Sequence, residues 1–143
     1  MGGITRETSK GQLISVRYMQ GAVAAGQTDV QLNAAEVATP HTLAVDEVSM
    51  PWPGEIVGLS WQLSAAGTTG NFTIGATING TEDADTTITV GTAQRGYLRV
   101  PREKARFVAG DRIGAEITTA AGWDGTTADL LVTVWCLVQL EGI

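Results

Sequence analysis

The chain has 143 residues and a mass of 14.9 kDa, which is the size of one domain. Hydrophobic residues make up 43% and charged residues 17% of it, so the chain can bury a core and is not generically disordered. The net charge of -6 and the pI of about 4.6 argue against a protein that coats nucleic acid, because phosphate binding requires clustered lysine and arginine.

The first residues, 1–11, are polar and glycine-rich without periodicity, which predicts an extended N-terminal arm in front of a single domain over 12–143. The arm lacks the apolar run of a secretion signal, and the longest apolar run, 130–138, is too short to span a bilayer. We therefore expect a soluble protein that contacts no membrane.

Alternating apolar and polar residues predict strands along most of the chain. The first strand is 12–18, in which Ile14, Val16 and Tyr18 share one face. The following segment up to Met50 mixes short apolar pieces with Gly, Asn and Pro, which indicates two or three short strands, with a helical turn near 34–37 as an alternative.

The clearest periodicity follows a stiff segment, Met50 to Gly54, in which two prolines restrict the backbone. A strand is predicted over 55–63 and another over 70–78, each with four apolar residues on one face. The Asn79-Gly80 dipeptide that follows is favoured in tight hairpins. The residues predicted to face the core are Val57, Leu59, Trp61 and Leu63 in the first of these strands and Phe72, Ile74, Ala76 and Ile78 in the second.

The second half continues this pattern with two short strands over 86–90 and 97–100, a strand over 112–118, and the longest strand over 128–140. About eight short strands joined by glycine-bearing turns predict an all-β fold, and at this length an antiparallel β-sandwich of the jelly-roll type. The inward residues are predicted to be Ile113, Ala115 and Ile117 in the strand over 112–118. In the strand over 128–140 they are predicted to be Leu130, Val132, Val134, Cys136, Val138 and Leu140.

The last strand is also apolar on its second face, which carries Leu131, Trp135 and Leu137. Only one face of each sheet is buried in a sandwich, so these side chains need a cover. The cover is either a subunit contact or a loop or arm of the same chain. We expect the subunit contact, in which Trp135 contributes most of the binding energy.

Two other tryptophans lie in loops, Trp52 between two prolines and Trp123 between Gly122 and Asp124. Each is a candidate for binding a partner at a strand end, where sandwich loops often carry recognition. The alternative is that each closes one end of the sandwich.

The charged residues are unevenly placed, with six of the nine basic residues between Arg95 and Arg112 and an acidic turn over 82–85. This pattern fits either a solvated face or a contact between copies. The acidic turn lacks the spacing of a calcium loop, so we expect no metal or other cofactor.

Catalysis is not expected either. His41 is the only histidine and has no recognisable nucleophile motif beside it, and no pair of carboxylates is singled out among the 15 acidic residues. The single cysteine, Cys136, cannot form an internal disulfide, and its apolar neighbours predict an ordinary buried side chain.

The stretch from Met50 to Leu140 resembles the small jelly-roll proteins of tailed-phage particles, notably head decoration, or cement, proteins. The resemblance lies in strand entries and turns. It implies a homotrimer made in the host cytoplasm, which binds the major capsid protein from outside the capsid and stabilises it through loops and a terminal arm. In that arm, Ile4 and Arg6 are the expected contact residues. The segments that carry the resemblance are Pro51 to Ser60, Phe107 to Ile113, Ala121 to Trp123 and Thr126 to Leu130.

Two other functions fit the same sequence. A carbohydrate- or receptor-binding module of a phage tail or fibre would present Trp123 to a cell-surface sugar. A shell subunit that assembles with itself is also consistent with the fold, although the chain is small for it.

Overall fold

A computed structural model of the chain describes residues 11–34 and 46–140. These residues form an all-β structure, as predicted, in which the only helix is a 3-10 turn over Ala84–Thr86. No helix in this part of the chain has the length and apolar character needed to cross a bilayer. The strands are β1 (Gly11–Gln20), β2 (Val30–Gln31), β3 (Glu47–Ser49), β4 (Gly54–Leu63), β5 (Phe72–Ile78), β6 (Thr81–Glu82), β7 (Ile88–Val90), β8 (Arg95–Arg99), β9 (Ala105–Phe107), β10 (Arg112–Thr119) and β11 (Leu130–Gln139).

The strands form two antiparallel sheets. The first sheet has the order β1-β11-β4-β8, with β9 also paired to β4. The second has the order β2-β10-β5-β6, with β3 paired to β10 and β7 paired to β5. Three pairs of short strands each share one neighbour and so occupy one position in a sheet: β2 with β3, β6 with β7, and β8 with β9. Counted in chain order, this leaves eight strand positions. Their order is 1-8-3-6 across the first sheet and 2-7-4-5 across the second. This connectivity is that of a jelly roll, and it confirms the predicted fold class.

One hydrophobic core lies between the two sheets. The inward residues predicted for β10 are all buried, and those predicted for β5 and β11 are buried except for the half-buried Ile78 and Leu140. Tyr18 crosses the core from β1 and donates a hydrogen bond to the backbone carbonyl of Ile113 in the opposite sheet. Burial raises the pKa of this phenol far above its ordinary value, so it remains a neutral donor.

The prediction for β4 was wrong at one residue. The pairing of β4 with β11 shifts between Trp135 and Cys136, where Val57 is the extra residue of a bulge. Because of this bulge Ile56, rather than Val57, points into the core, and Val57 is only half-buried. The bulge reverses the alternation that the sequence displays.

The hairpin predicted at Asn79-Gly80 is present. Both residues have a positive φ, 52° and 81°, as a two-residue turn between antiparallel strands requires. It joins β5 to β6, a strand of only two residues that the sequence did not reveal. The short β9 was not predicted either. The arm over 1–10, with Ile4 and Arg6, lies outside the described residues, as do His41 and most of the 34–37 turn.

Candidate functional site

The outer face of the first sheet carries three of the five large hydrophobic residues that are exposed in the described part of the chain. The strand registers place its side chains in adjacent rows, and three of them are strongly exposed: Tyr97 at 69%, Leu13 at 56% and Trp135 at 37%. We call this surface the first-sheet face. It consists of Leu13, Ser15, Arg17 and Met19 from β1, Leu131, Thr133, Trp135 and Leu137 from β11, Ser60 and Gln62 from β4, and Arg95, Tyr97 and Arg99 from β8.

Trp135 lies at the centre of the first-sheet face. Its register partner on β4 is Gly58, and its Nε1 donates a hydrogen bond of 3.1 Å to Ser60 Oγ. Leu131 and Leu137 flank it on the same strand and are half-buried. These three side chains therefore point away from the core of their own domain, and their contact with another subunit stays a prediction.

The first-sheet face is apolar and cationic. Arg17, Arg95 and Arg99 are all exposed on it. The carboxylates at its margin are engaged elsewhere, since Glu55 is buried and pairs with Arg102, and Asp129 accepts a hydrogen bond from the backbone of Ala22. The surface therefore suits a partner that supplies apolar contacts together with negative charge or carbonyl oxygens.

The outer face of the second sheet carries the opposite charge. Asp29, Glu82 and Glu116 have carboxylate oxygens within 4.8 Å of one another, and we call them the carboxylate cluster. Glycine at position 75 gives Glu82 room, because a Cβ there would lie 2.8 Å from Glu82 Cγ. Nearby Glu47 is neutralised by Arg112 at 2.7 Å.

Protein donors hold each carboxylate of this cluster. Thr118 donates to Asp29 at 3.1 Å, Thr87 donates to Glu82, and Gln31 donates to Glu116 at 3.4 Å. Glu116 is 6% exposed, and its burial beside Glu82 and Asp29 raises its pKa to about 8. The cluster therefore keeps a proton at neutral pH. Carboxylates are ligands for hard cations, but the protein satisfies these groups with its own donors.

The predicted acidic turn does not act as a unit. Glu82 turns toward the second sheet, whereas Asp83 caps the 3-10 turn by accepting a hydrogen bond of 2.9 Å from the backbone of Asp85. The basic residues predicted as a group are also divided. Arg95 and Arg99 lie on the first-sheet face, while Arg106 pairs with Glu103 at 3.2 Å.

The structure corrects the prediction that Trp123 is displayed to a partner. Its side chain is 3% exposed and packs edge-on against Phe72, with the two ring centroids 5.1 Å apart. Its Nε1 donates to the carbonyl oxygen of Val23 at 3.3 Å. Trp123 therefore closes one end of the sandwich. Trp52 is 41% exposed in the loop before β4, so it remains a partner-binding candidate.

The sequence did not predict two exposed residues of the first-sheet face, Leu13 and Tyr97. Leu13 lies out of phase with its inward neighbours, and Tyr97 lies in a short strand that had no assigned face. Exposure of Leu13 could have been inferred from its alternation with Ile14 and Val16. The carboxylate cluster could not, because Asp29, Glu82 and Glu116 come from three separate segments.

No family model matches the sequence, and no curated protein matches it significantly. Solved structures with a similar chain path include a chain of the acid-stable capsid of the Helicobacter pylori bacteriophage KHP30, with 9% identity, a TM-score of 0.49, and coverage of 90% of this chain and 93% of that one. A chain of the cyanophage Pam1 capsid has 11% identity, a TM-score of 0.37, and coverage of 91% and 87%. A chain of desmodium yellow mottle tymovirus has 8% identity, a TM-score of 0.33, and coverage of 90% and 81%. These three similar structures are all viral.

Proposed function

We propose that this chain is a non-enzymatic structural protein of a virus particle, which binds the outside of the capsid as a homotrimer and stabilises it. The observation that carries the proposal is the first-sheet face, on which Leu13, Tyr97 and Trp135 are exposed on strands rather than on loops. A contiguous apolar surface of this kind marks a site of association. In the proposal, Leu131, Trp135 and Leu137 contact neighbouring copies.

The fold supports this role. Jelly rolls are common in viral shells, and their two sheets make a rigid block with loops at both ends. Capsid stabilisation then follows from mass action, because a protein that binds only the assembled shell lowers the free energy of that state. A trimer adds multivalency, since one bound subunit raises the effective concentration of the other two at the surface. Trp52, in an exposed loop, is a candidate for the capsid contact.

The sugar-binding alternative loses its main support. It required Trp123 to present an aromatic ring at a loop, and that ring is buried against Phe72.

The test is binding to capsids prepared without this chain. We expect the purified protein to sediment with those capsids, to saturate at a fixed number of copies per particle, and to raise the temperature at which the shell ruptures. Trp52→Ala and Trp135→Ala variants separate the capsid contact from the contact between copies. Protein that remains in the supernatant at every concentration, with an unchanged rupture temperature, would show that the proposal is wrong.

A further inference from the structure

Within residues 11–34 and 46–140, the outer edge of β1 lacks a strand partner over most of its length. β1 is the edge strand of the first sheet, and its register with β11 is unbroken from Gly11 to Gln20. On its other side, the described residues provide only one bridge, between Met19 and Asn33. No strand of the described residues therefore pairs with the backbone groups along the outer edge before Met19.

This edge has none of the features that usually block pairing. Edge strands are commonly protected by proline, bulges, short length or several charges. β1 has ten residues without proline or a register shift, and Arg17 is its only charged residue. The edge is therefore suited to accept an extended segment.

Side chains on both faces of β1 also remain incompletely covered. Ile14 and Val16 point toward the core but are only half-buried, and Leu13 on the other face is 56% exposed. An added strand would cover all three side chains while it paired with the backbone. Tyr18, near the bridged end of the strand, is already fully buried.

We infer that this edge binds residues 1–10 of a second copy of the chain, so that each copy both gives and receives an arm. The inference rests on the homotrimer of the proposed function. The length of the arm fits, because ten extended residues reach about 33 Å, whereas the open edge from Gly11 to Tyr18 spans about 26 Å. In a trimer each copy gives its arm to one neighbour and receives an arm from the other, which is a heterologous contact of the kind that forms a ring when its rotation closes.

The sequence of the arm matches the edge. In an extended segment, Ile4 and Glu7 fall on opposite faces. One arrangement places Ile4 over the half-buried Ile14 and Val16 and Glu7 on the face that carries Arg17. The apolar and charged groups of the arm then meet complementary groups of the edge.

Pairing of the arm with its own β1 is disfavoured. It would require a tight hairpin immediately before Gly11, the residue at which β1 begins. Two-residue hairpin turns need glycine, asparagine or aspartate at positions with positive φ, and the residues available there are Ser9 and Lys10. A second copy needs no such turn.

The first test is deletion of residues 1–10, measured by light scattering on the full-length and shortened proteins. The deletion leaves every described strand intact, and circular dichroism checks that the fold is retained. We expect the mass to fall from trimer to monomer. A shortened protein that stays trimeric overturns the inference, as does a full-length protein that is monomeric at all concentrations.

The second test locates the arm and does not depend on the deletion. In this test a nitroxide is attached to an Ile4→Cys variant made with nitrogen of natural abundance. These copies are mixed with ¹⁵N-enriched copies that carry no nitroxide. We expect broadening of the amide signals of 12–17 in the mixed oligomer. Broadening that occurs only when label and ¹⁵N are in the same molecule, or no broadening at this edge, overturns the inference. Sedimentation of the shortened protein with capsids distinguishes the exchange of arms from the proposed function. If the shortened protein binds capsids as a trimer, the exchange is wrong and the capsid-binding function stands.

Discussion

The indole Nε1 of Trp135 donates a hydrogen bond to Ser60 Oγ on the neighbouring strand, at 3.1 Å. This bond holds the ring across β4 while 37% of the residue remains exposed. Trp135 is therefore a fixed apolar surface, and a partner that binds it pays little of the conformational entropy that an unrestrained side chain would lose.

Trp135→Ala should weaken association between copies without unfolding the domain. The side chain belongs to the outer face, so its loss creates no internal cavity. Aromatic residues at the centre of an interface commonly contribute 2 kcal/mol or more, about a thirtyfold change in dissociation constant. Analytical ultracentrifugation measures this change. Trp52→Ala is the matched control, because it removes a similarly exposed tryptophan from a loop and should leave the oligomer intact.

Gly125→Ala should destabilise the fold. A Cβ at position 125 would lie 2.8 Å from Cε2 and Cη2 of Trp123, which is closer than carbon atoms approach in folded proteins. We expect a loss of about 1 to 3 kcal/mol in the free energy of unfolding, measured by denaturant titration. Gly122→Ala is the control, because a Cβ there meets nothing within 4 Å. Equal stability of the two variants would contradict the described packing of Trp123.

Glu116→Gln should change the dependence of stability on pH. The pKa of Glu116 is raised from its ordinary 4.5 to about 8, so the folded state holds this proton more tightly than the unfolded chain does. The contribution of Glu116 to stability is therefore greatest below pH 4.5 and decreases as pH rises to about 8. The slope cannot exceed about 1.4 kcal/mol per pH unit for one proton.

The amide of Glu116→Gln cannot ionise. The free energy of unfolding of this variant should therefore not decline in the way described between about pH 5 and 8, the interval between the unfolded and folded pKa values of Glu116. Glu103→Gln is the control, since the carboxylate of Glu103 is exposed and pairs with the exposed Arg106. A variant that loses stability with pH as steeply as the parent protein would show that Glu116 is ionised in the fold.

Cys136 should not react with thiol reagents until the protein unfolds. The side chain is fully buried, and desolvation raises the pKa of the thiol to about 12. The thiolate is the reactive species, so both access and ionisation oppose the reaction. Native protein should show no fast phase with a chromogenic disulfide reagent, and one thiol per chain should appear in denaturant. This inertness is also what permits selective labelling of a cysteine placed at position 4.

The long strands could be predicted from sequence because their burial follows a period of two. In β5, β10 and β11 an apolar residue stands at every second position, and the core uses those residues. The same reading failed at Val57, where a bulge inserts one residue and reverses the alternation. Strands of two or three residues, such as β6 and β9, are too short to show a period.

The surface was only partly predictable. Apolar residues on both faces of β11 indicated an exposed patch, and Trp135 and its neighbours do lie outside. The loop tryptophans could not be assigned in the same way, because burial in a loop depends on close approach by distant segments. The ring of Trp123 lies against Gly67 and Gly125 and its backbone lies against Gly70, and the sequence alone does not place these three glycines around one residue.

The position of β11 has a consequence for how the molecule is made. This strand comes after all the other described strands in the chain, yet it lies inside the first sheet between β1 and β4. Until the ribosome has released residues 130–139, those two strands have no common neighbour and the sheet cannot close. Pairing between such distant segments is slow compared with local hairpin formation. The first-sheet face therefore cannot form before residues 130–139 have left the ribosome, because two of its four strands lack the strand that joins them until then.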